Sequence, residues 1–357
     1  MSEDYPWMIY GATGYSGELI ARKAVAQGLR PILAARDGKA VSKIAEALDL
    51  SWRSFEISDW KNFRCEISRV NLLVNAAGPL MQSSVLVAES CLAAHTHYFD
   101  LNNHIPSLVA TYTLDAEAKA KNLTLLPGLA LSPAASNCLV QHLHTLLPDA
   151  DSVDIALEPF MRTHSPGANL TITENIMQGG LRRRGGVLER CRFDSGLIEV
   201  QLPTGSRRML PGALGDIEAT FRSTKLPNIT TYIVADLWSI PGGFRRTAPA
   251  DSVRSSAQEP NTKQFQCADG TRQSLVWARL SKLGQSSLEG WLEFGEWHEL
   301  TAAVVIAGVS RLLNDKRLSA GAHTPATALG PDFILDLPNL KRTVQPLTQG
   351  NVVLARD

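Results

Sequence analysis

Gly11, Gly14 and Gly17 recur at every third position between an apolar run at 7–10 and an amphipathic stretch at 18–27. That spacing suits the binding of a phosphate by backbone. In the turn Gly11-Ala12-Thr13-Gly14-Tyr15-Ser16-Gly17, the first glycine allows a sharp reversal after a strand. The second lets the main chain come up against a pyrophosphate, and the third lets the next helix pack closely on the strand. The helix start then offers unpaired N–H groups and the positive end of its dipole to the anion. A glycine pattern alone says little. Between a strand and a helix it marks a dinucleotide site.

The next strand, expected at 31–35, leads directly into Arg36. A guanidinium at that place accommodates the extra phosphate of NADP(H), whereas an acid would bind the ribose hydroxyls of NAD(H). Asp37 is the contrary sign, so the expected cofactor is NADP(H) with NAD(H) as the alternative. Ser58 and Asp59, after a third strand at 52–57, would lie beside the adenine, or Asp59 would cap the next helix. After a fourth strand at 70–76 come Ala77, Gly78 and Pro79, small residues and a turn that let the cofactor pass close to the backbone.

A nicotinamide enzyme needs a proton donor beside its hydride carrier. A fifth strand at 97–101 delivers Tyr98 and Asp100 to one face, with His104 following in what reads as a loop. Tyr98 and His104 are candidate acids; a core tyrosine and a surface histidine are the alternatives. In the second half, Asp216 is a candidate substrate contact or a plain cap, and Arg222 could bind an anionic group. His164 would border the substrate cleft, or occupy a surface turn. No serine stands in a G-x-S-x-G turn, so nucleophilic catalysis is not indicated.

The elements that must position these residues are α/β in texture. Up to residue 127, short apolar runs alternate with helical stretches, as in a Rossmann-type parallel sheet. From 128 to 320, strand-like segments at 152–158, 198–202, 229–237, 274–280 and 288–294 suggest a second α+β domain with a mostly antiparallel sheet, and 248–261 reads as a surface loop. Residues 321–357 form a C-terminal segment that could return to the first domain. A chain of 357 residues with 44% hydrophobic and 20% charged residues and zero formal charge reads as a soluble globular protein. Neither nucleic acid nor membrane is an expected partner. The run Arg182 to Arg184 reads as a solvated surface. The five cysteines, Cys65, Cys91, Cys138, Cys191 and Cys267, form no C-x-x-C pair. With Glu3 and Asp4 ahead of the first strand, this points to reduced thiols in the cytoplasm.

Several separated segments resemble one family, the saccharopine dehydrogenase-like NAD(P)-binding oxidoreductases, including enoyl reductases that act in trans. They are Y-G-A-T-G-Y-S-G from Tyr10, I-L-A-A-R ending at Arg36, N-A-A-G-P ending at Pro79 and T-H-Y-F-D from Thr96 to Asp100. Leu210 to Thr224 and His323 to Gly330 continue the likeness. The resemblance implies a Rossmann domain with a substrate domain on an open sheet. It further implies hydride delivery to an activated C=C bond of a small biosynthetic substrate, such as a polyketide or lipid intermediate, carrier- or CoA-linked in one version. Imine (C=N) reduction of the saccharopine type is the alternative, and a dinucleotide sensor without turnover is the alternative of another class. A homodimer is the candidate assembly. The chain departs from the family's pattern after Asp100, where Asn102-Asn103-His104 replaces the usual Thr-Gly-Glu, and 128–133 lacks the common Phe-Asp.

Overall fold

A computed structural model of the chain describes residues 6–162, 179–191, 198–202, 205–234, 273–282, 287–315 and 318–347. Strands and helices alternate first: β1 (Trp7–Tyr10), α1 (Tyr15–Ala26), β2 (Ile32–Ala35), α2 (Gly38–Leu48), β3 (Trp52–Ser54), α3 (Trp60–Ile67), β4 (Leu72–Asn75), α4 (Leu80–Ala93) and β5 (His97–Asp100). Then come α5 (Ile105–Thr113), α6 (Asp115–Ala120), β6 (Thr124–Leu126) and α7 (Leu131–Leu146). β1 and β4 are buried along their whole length, as strands covered on both faces must be. Helix α1 buries Ile20, Ala21 and Ala24 along one stripe, and Gly28 follows it at φ +75, a conformation that ends helices.

The remaining elements are β7 (Ser152–Glu158), β8 (Gly180–Arg184), β9 (Val187–Cys191), β10 (Ile198–Leu202), β11 (Gly205–Pro211), α8 (Asp216–Thr224), β12 (Asn228–Val234), β13 (Ser274–Ser281), β14 (Ser287–Phe294), α9 (Trp297–Ser310), β15 (Gly321–Ala322), α10 (Pro325–Leu329) and β16 (Lys341–Leu347). Two sheets result. The first has seven strands in the order β15-β6-β5-β4-β1-β2-β3, every pair parallel. This is the doubly wound dinucleotide-binding order with one strand added, and it reverses between β1 and β4, opening a crevice there. The second sheet has nine strands and is antiparallel except for β7 beside β12. The C-terminal part of the chain serves both, since β15 extends the first sheet and β16 pairs with β14 in the second. Helix α7 packs on β13 and β14, while α9 returns to pack on α1. Their side chains belong to one continuous core that includes Ile20 and Phe99 of the first lobe and Ile155 and Leu292 of the second.

One segment differs from the sequence expectation. The run Arg182 to Arg184 is not a solvated patch: it lies in β8, in a hairpin whose turn, Gly185-Gly186, has φ of +55 and +82. Two consecutive left-handed residues match the twist of a two-residue hairpin, which explains the glycine pair. Residues 105–113 form α5 and 216–224 form α8, two helices that the sequence expectation did not include. Loop 248–261 and Cys267 lie outside the described residues; Cys65, Cys91, Cys138 and Cys191 are free thiols. No helix among the described residues is long and apolar enough to cross a membrane.

Arg183 anchors α8 to the second sheet. Its guanidinium bonds Glu218 at 2.6 Å with both side chains buried, and it stacks 3.7 Å over the Phe221 ring. Removing one partner of such a pair strands the other charge. Arg183→Ala is expected to lower the unfolding free energy by about 3–5 kcal/mol. The apolar pair Arg183→Met with Glu218→Leu should recover most of that loss; denaturant titration of both variants measures it.

Candidate cofactor and substrate site

The glycine turn is built as a cradle. Gly11, at φ +90, has its N–H on the carbonyl of Ala34, and a Cβ there would lie 2.5 Å from the Ala77 nitrogen. A Cβ on Gly17 would lie 2.2 Å from the Gly11 carbonyl oxygen. Ala12 is fully buried, whereas Thr13, Gly14 and Tyr15 are exposed. Helix α1 has no side-chain cap, and the amides of Tyr15, Ser16 and Gly17 have no partner among the described residues. Unpaired donors converging at an exposed helix start, with no room for side chains beneath them, fit a pyrophosphate.

Arg36, exposed just past β2, makes no ion pair among the described residues. Its neighbour Asp37 is committed elsewhere: the carboxylate caps α2 by accepting the Ala40 N–H at 3.0 Å. Asp59 likewise caps α3 through the Asn62 N–H, and Ser58 donates to Glu56. The two acids whose roles the sequence left open are therefore both engaged as caps. Ala77, Gly78 and Pro79 follow β4 beside the turn, with the Ala77 N–H on the Asn75 side chain.

Tyr98 and Asp100 are corrections. Both are fully buried, because β5 lies inside the sheet with neighbours on both sides, so neither can touch a substrate. The Tyr98 hydroxyl donates to Asp100 Oδ2 at 2.7 Å. Burial and the adjacent carboxylate push this phenol far above its ordinary range. Asp100 Oδ1 accepts the N–H groups of Asn102 (2.9 Å) and Gly128 (2.8 Å). Burial raises its carboxyl to about 6 against these three hydrogen bonds. The pair is structural, holding the chain where it leaves β5.

His104 is placed quite differently. It precedes α5, half-buried, with Nδ1 2.8 Å from Ser107 Oγ, while Ser107 bonds the Met81 carbonyl at the start of α4. Burial lowers the imidazole below its ordinary value, so the ring is neutral near pH 7. The sequence read this segment as a loop, yet the helix start holds the ring and Ser107 ties it to the first turn of α4, the helix that follows Pro79.

Asp216 and Arg222 are the other corrections. Asp216 is fully buried at the start of α8 and accepts from the hydroxyls of Ser132 and Ser136 on α7. It clamps two helices together. Arg222 reaches the Ala322 carbonyl of β15 at 3.3 Å, lies 3.8 Å from Asp115 and 4.8 Å over the Tyr112 ring. Those contacts use up the cation in the seam between α5, α6 and β15. His164 lies outside the described residues.

One arrangement went unread in the sequence. At the start of α9, Glu296 caps the helix through the Glu299 N–H and lies 2.9 Å from His298 Nδ1. The His298 ring meets the Tyr15 ring of the glycine turn edge to face, centroids 4.9 Å apart. Some 280 residues separate them in sequence, so no local signal pairs them.

No family model and no curated protein sequence matches the chain. In structure it is similar to apo saccharopine dehydrogenase (L-Glu forming) from Saccharomyces cerevisiae. The TM-score is 0.67 at 9% identity, and the match covers 96% of this chain and 100% of that one. It is also similar to homospermidine synthase from Legionella pneumophila, solved with NAD. There the TM-score is 0.62 at 11% identity, covering 96% of this chain and 92% of that one. Both superpositions run across the two lobes. The chain thus shares its fold with these two structures.

Asp100 gives the site a pH signature. The folded protein holds this proton more tightly than the unfolded chain does, so raising the pH from 3.8 to about 6 costs the fold stability, about 3 kcal/mol for a shift of that size. Asp100→Asn keeps the shape without the charge. Between about pH 4 and pH 7, the difference in unfolding free energy should move by about 2–3 kcal/mol in favour of the variant. A constant difference across that range would mean that the carboxyl titrates normally.

Proposed function

We propose that the chain is an NADP(H)-dependent reductase that saturates an activated C=C bond of a small biosynthetic substrate, such as a polyketide or lipid intermediate, free or linked to a carrier or CoA. The observation that carries this reading is the cradle itself: unpartnered amides at Tyr15, Ser16 and Gly17 on the same sheet edge as an exposed, unpaired Arg36. With Asp37 tied up as a helix cap, the guanidinium is the group left to meet a phosphate on the adenosine ribose.

When bound, the reduced nicotinamide supplies the hydride; the protein must orient the double bond and deliver a proton to the charge that develops. His104 is the donor favoured by its place between β5 and α5, linked through Ser107 to the start of α4, and Ser107 fixes its ring. Ser107 spends its own proton on the Met81 carbonyl, so the neutral ring carries its proton on Nδ1; a second proton taken from solvent at Nε2 makes the imidazolium, which delivers that proton to the substrate and returns to the neutral ring.

The C=N reading asks for cations to hold amino-acid carboxylates, and four of the candidate arginines already face acids of the fold. Arg182 pairs with Glu189, Arg183 with Glu218, Arg207 with Glu158 and Arg222 with Asp115. Of these, Arg183 and Arg207 are held closely by buried carboxylates.

NADPH oxidation with a panel of enoyl thioesters and cyclic imines tests the reaction. Turnover of an enoyl thioester is expected; tight NADPH binding without consumption of any substrate would favour a sensor instead. His104→Ala should cut kcat by about 10²–10⁴-fold while leaving NADPH affinity intact. For the cofactor, Arg36→Ala should weaken NADPH binding by about 1.5–3 kcal/mol and leave NADH nearly unchanged. Equal weakening of both by calorimetry would remove the phosphate role of Arg36.

A further inference from the structure

The glycine turn belongs to the first lobe, but its Tyr15 is held by a residue of the second. His298 is only 7% exposed. Its Nδ1 is taken by Glu296, and its Nε2 has no partner among the described residues. Burial pushes the Glu296 carboxyl up, but hydrogen bonds from His298 and the Glu299 amide outweigh that and hold it below its ordinary range. An ionised carboxylate on one ring nitrogen orients the imidazole and leaves the other for a ligand.

The backbone repeats the pattern. In the first turn of α9, a helix of 14 residues, Trp297 N–H goes to the Phe160 carbonyl and Glu299 N–H to the Glu296 side chain, while Leu300 N–H reaches the Glu296 carbonyl. The His298 amide alone of these has no partner among the described residues. One buried residue at a helix N-terminus therefore keeps both a ring nitrogen and an N–H unbonded, against the ring of Tyr15.

Direction follows from the sheet. A dinucleotide lying on the turn with its adenosine toward Arg36 on the β2 side must send its other half across β4 and β5. The C-terminal end of α9 is on that side, where a Cβ on Gly308 would touch Phe99 of β5 and Leu126 of β6. The N-terminal end carries His298 and meets the glycine turn itself, through Tyr15.

We propose that His298, oriented by Glu296, is a second-lobe contact for the nicotinamide-side phosphate and ribose of the dinucleotide, so that the cofactor is gripped by both lobes. This rests on the cofactor reading above. A bare packing contact between α9 and α1 is the competing account, and ligand fragments separate the two.

The test uses the full chain and calorimetric titration with NADPH and with adenosine 2′,5′-bisphosphate, which keeps the adenosine-side phosphates but lacks the nicotinamide half. His298→Phe preserves a ring against Tyr15 while removing both nitrogens, and His298→Gln restores a side-chain N–H. His298→Phe should weaken NADPH binding by about tenfold or more. Bisphosphate binding should stay within about twofold, and His298→Gln should recover part of the loss. Unchanged NADPH affinity in His298→Phe, or equal weakening of both ligands, overturns the contact while leaving the cofactor reading intact. Failure of the wild-type chain to bind either ligand overturns both.

Discussion

A buried carboxylate governs the carboxyl edge of the first sheet. Asp100 sits where β5 ends and the chain must turn toward α5, and where residues at 128 leave β6 for the second lobe. Burial disfavours its charge, yet three donors aim at it: the Tyr98 hydroxyl and the amides of Asn102 and Gly128. Those donors would otherwise be buried without partners, so the carboxylate satisfies several groups at once. The order propagates outward. Asn102, fixed by that bond, donates from Nδ2 to Ser84 of α4 and accepts the His104 N–H. Asn103 offers both its carbonyl and its Oδ1 to the Gly215 N–H at the start of α8. Within four residues the network spans the β5 edge, both helices flanking the crevice and the second lobe.

Much of this frame is legible in sequence because it is local. β1, α1 and the turn between them can be read from residues within twenty positions of each other, and the physical demands on Gly11 and Gly17 are met by main-chain atoms nearby. The second lobe is less readable where pairing is remote. The hairpin β8–β9 hides in an arginine run because Arg183 finds its counter-ion on α8. α5 had a signal that was passed over: Pro106 in the first turn, a position that proline favours. Asp216 and Glu218 are acids in the first turn of α8, a helix-start signature that favours the cap alternative for Asp216 over the substrate contact.

Tyr98 and Asp100 show a different limit. Alternation along β5 correctly places them on one face, and their side chains do meet. It cannot say whether that face looks onto a cleft or into the interior, since a central parallel strand is covered on both sides. The same blindness hid Glu296 and His298. Glutamate is not among the favoured caps, and nothing local to α9 announces that its first turn lands on the glycine turn.

The distribution of charge bears on where an anion can go. The chain carries as many acids as bases, 35 of each. Its described arginines in the second lobe are mostly spent on nearby carboxylates, several of them half-buried or buried. Arg36 is exposed without such a partner, on the edge where α1 presents its unpaired amides. Water screens an exposed guanidinium, so its charge acts over only a few ångströms and is felt chiefly by a group seated on that edge. A ligand with phosphates at both ends of the turn meets dipole and cation in register, whereas a small anion in the crevice would meet the dipole alone. The electrostatics thus select for length as well as sign, and a dinucleotide has both.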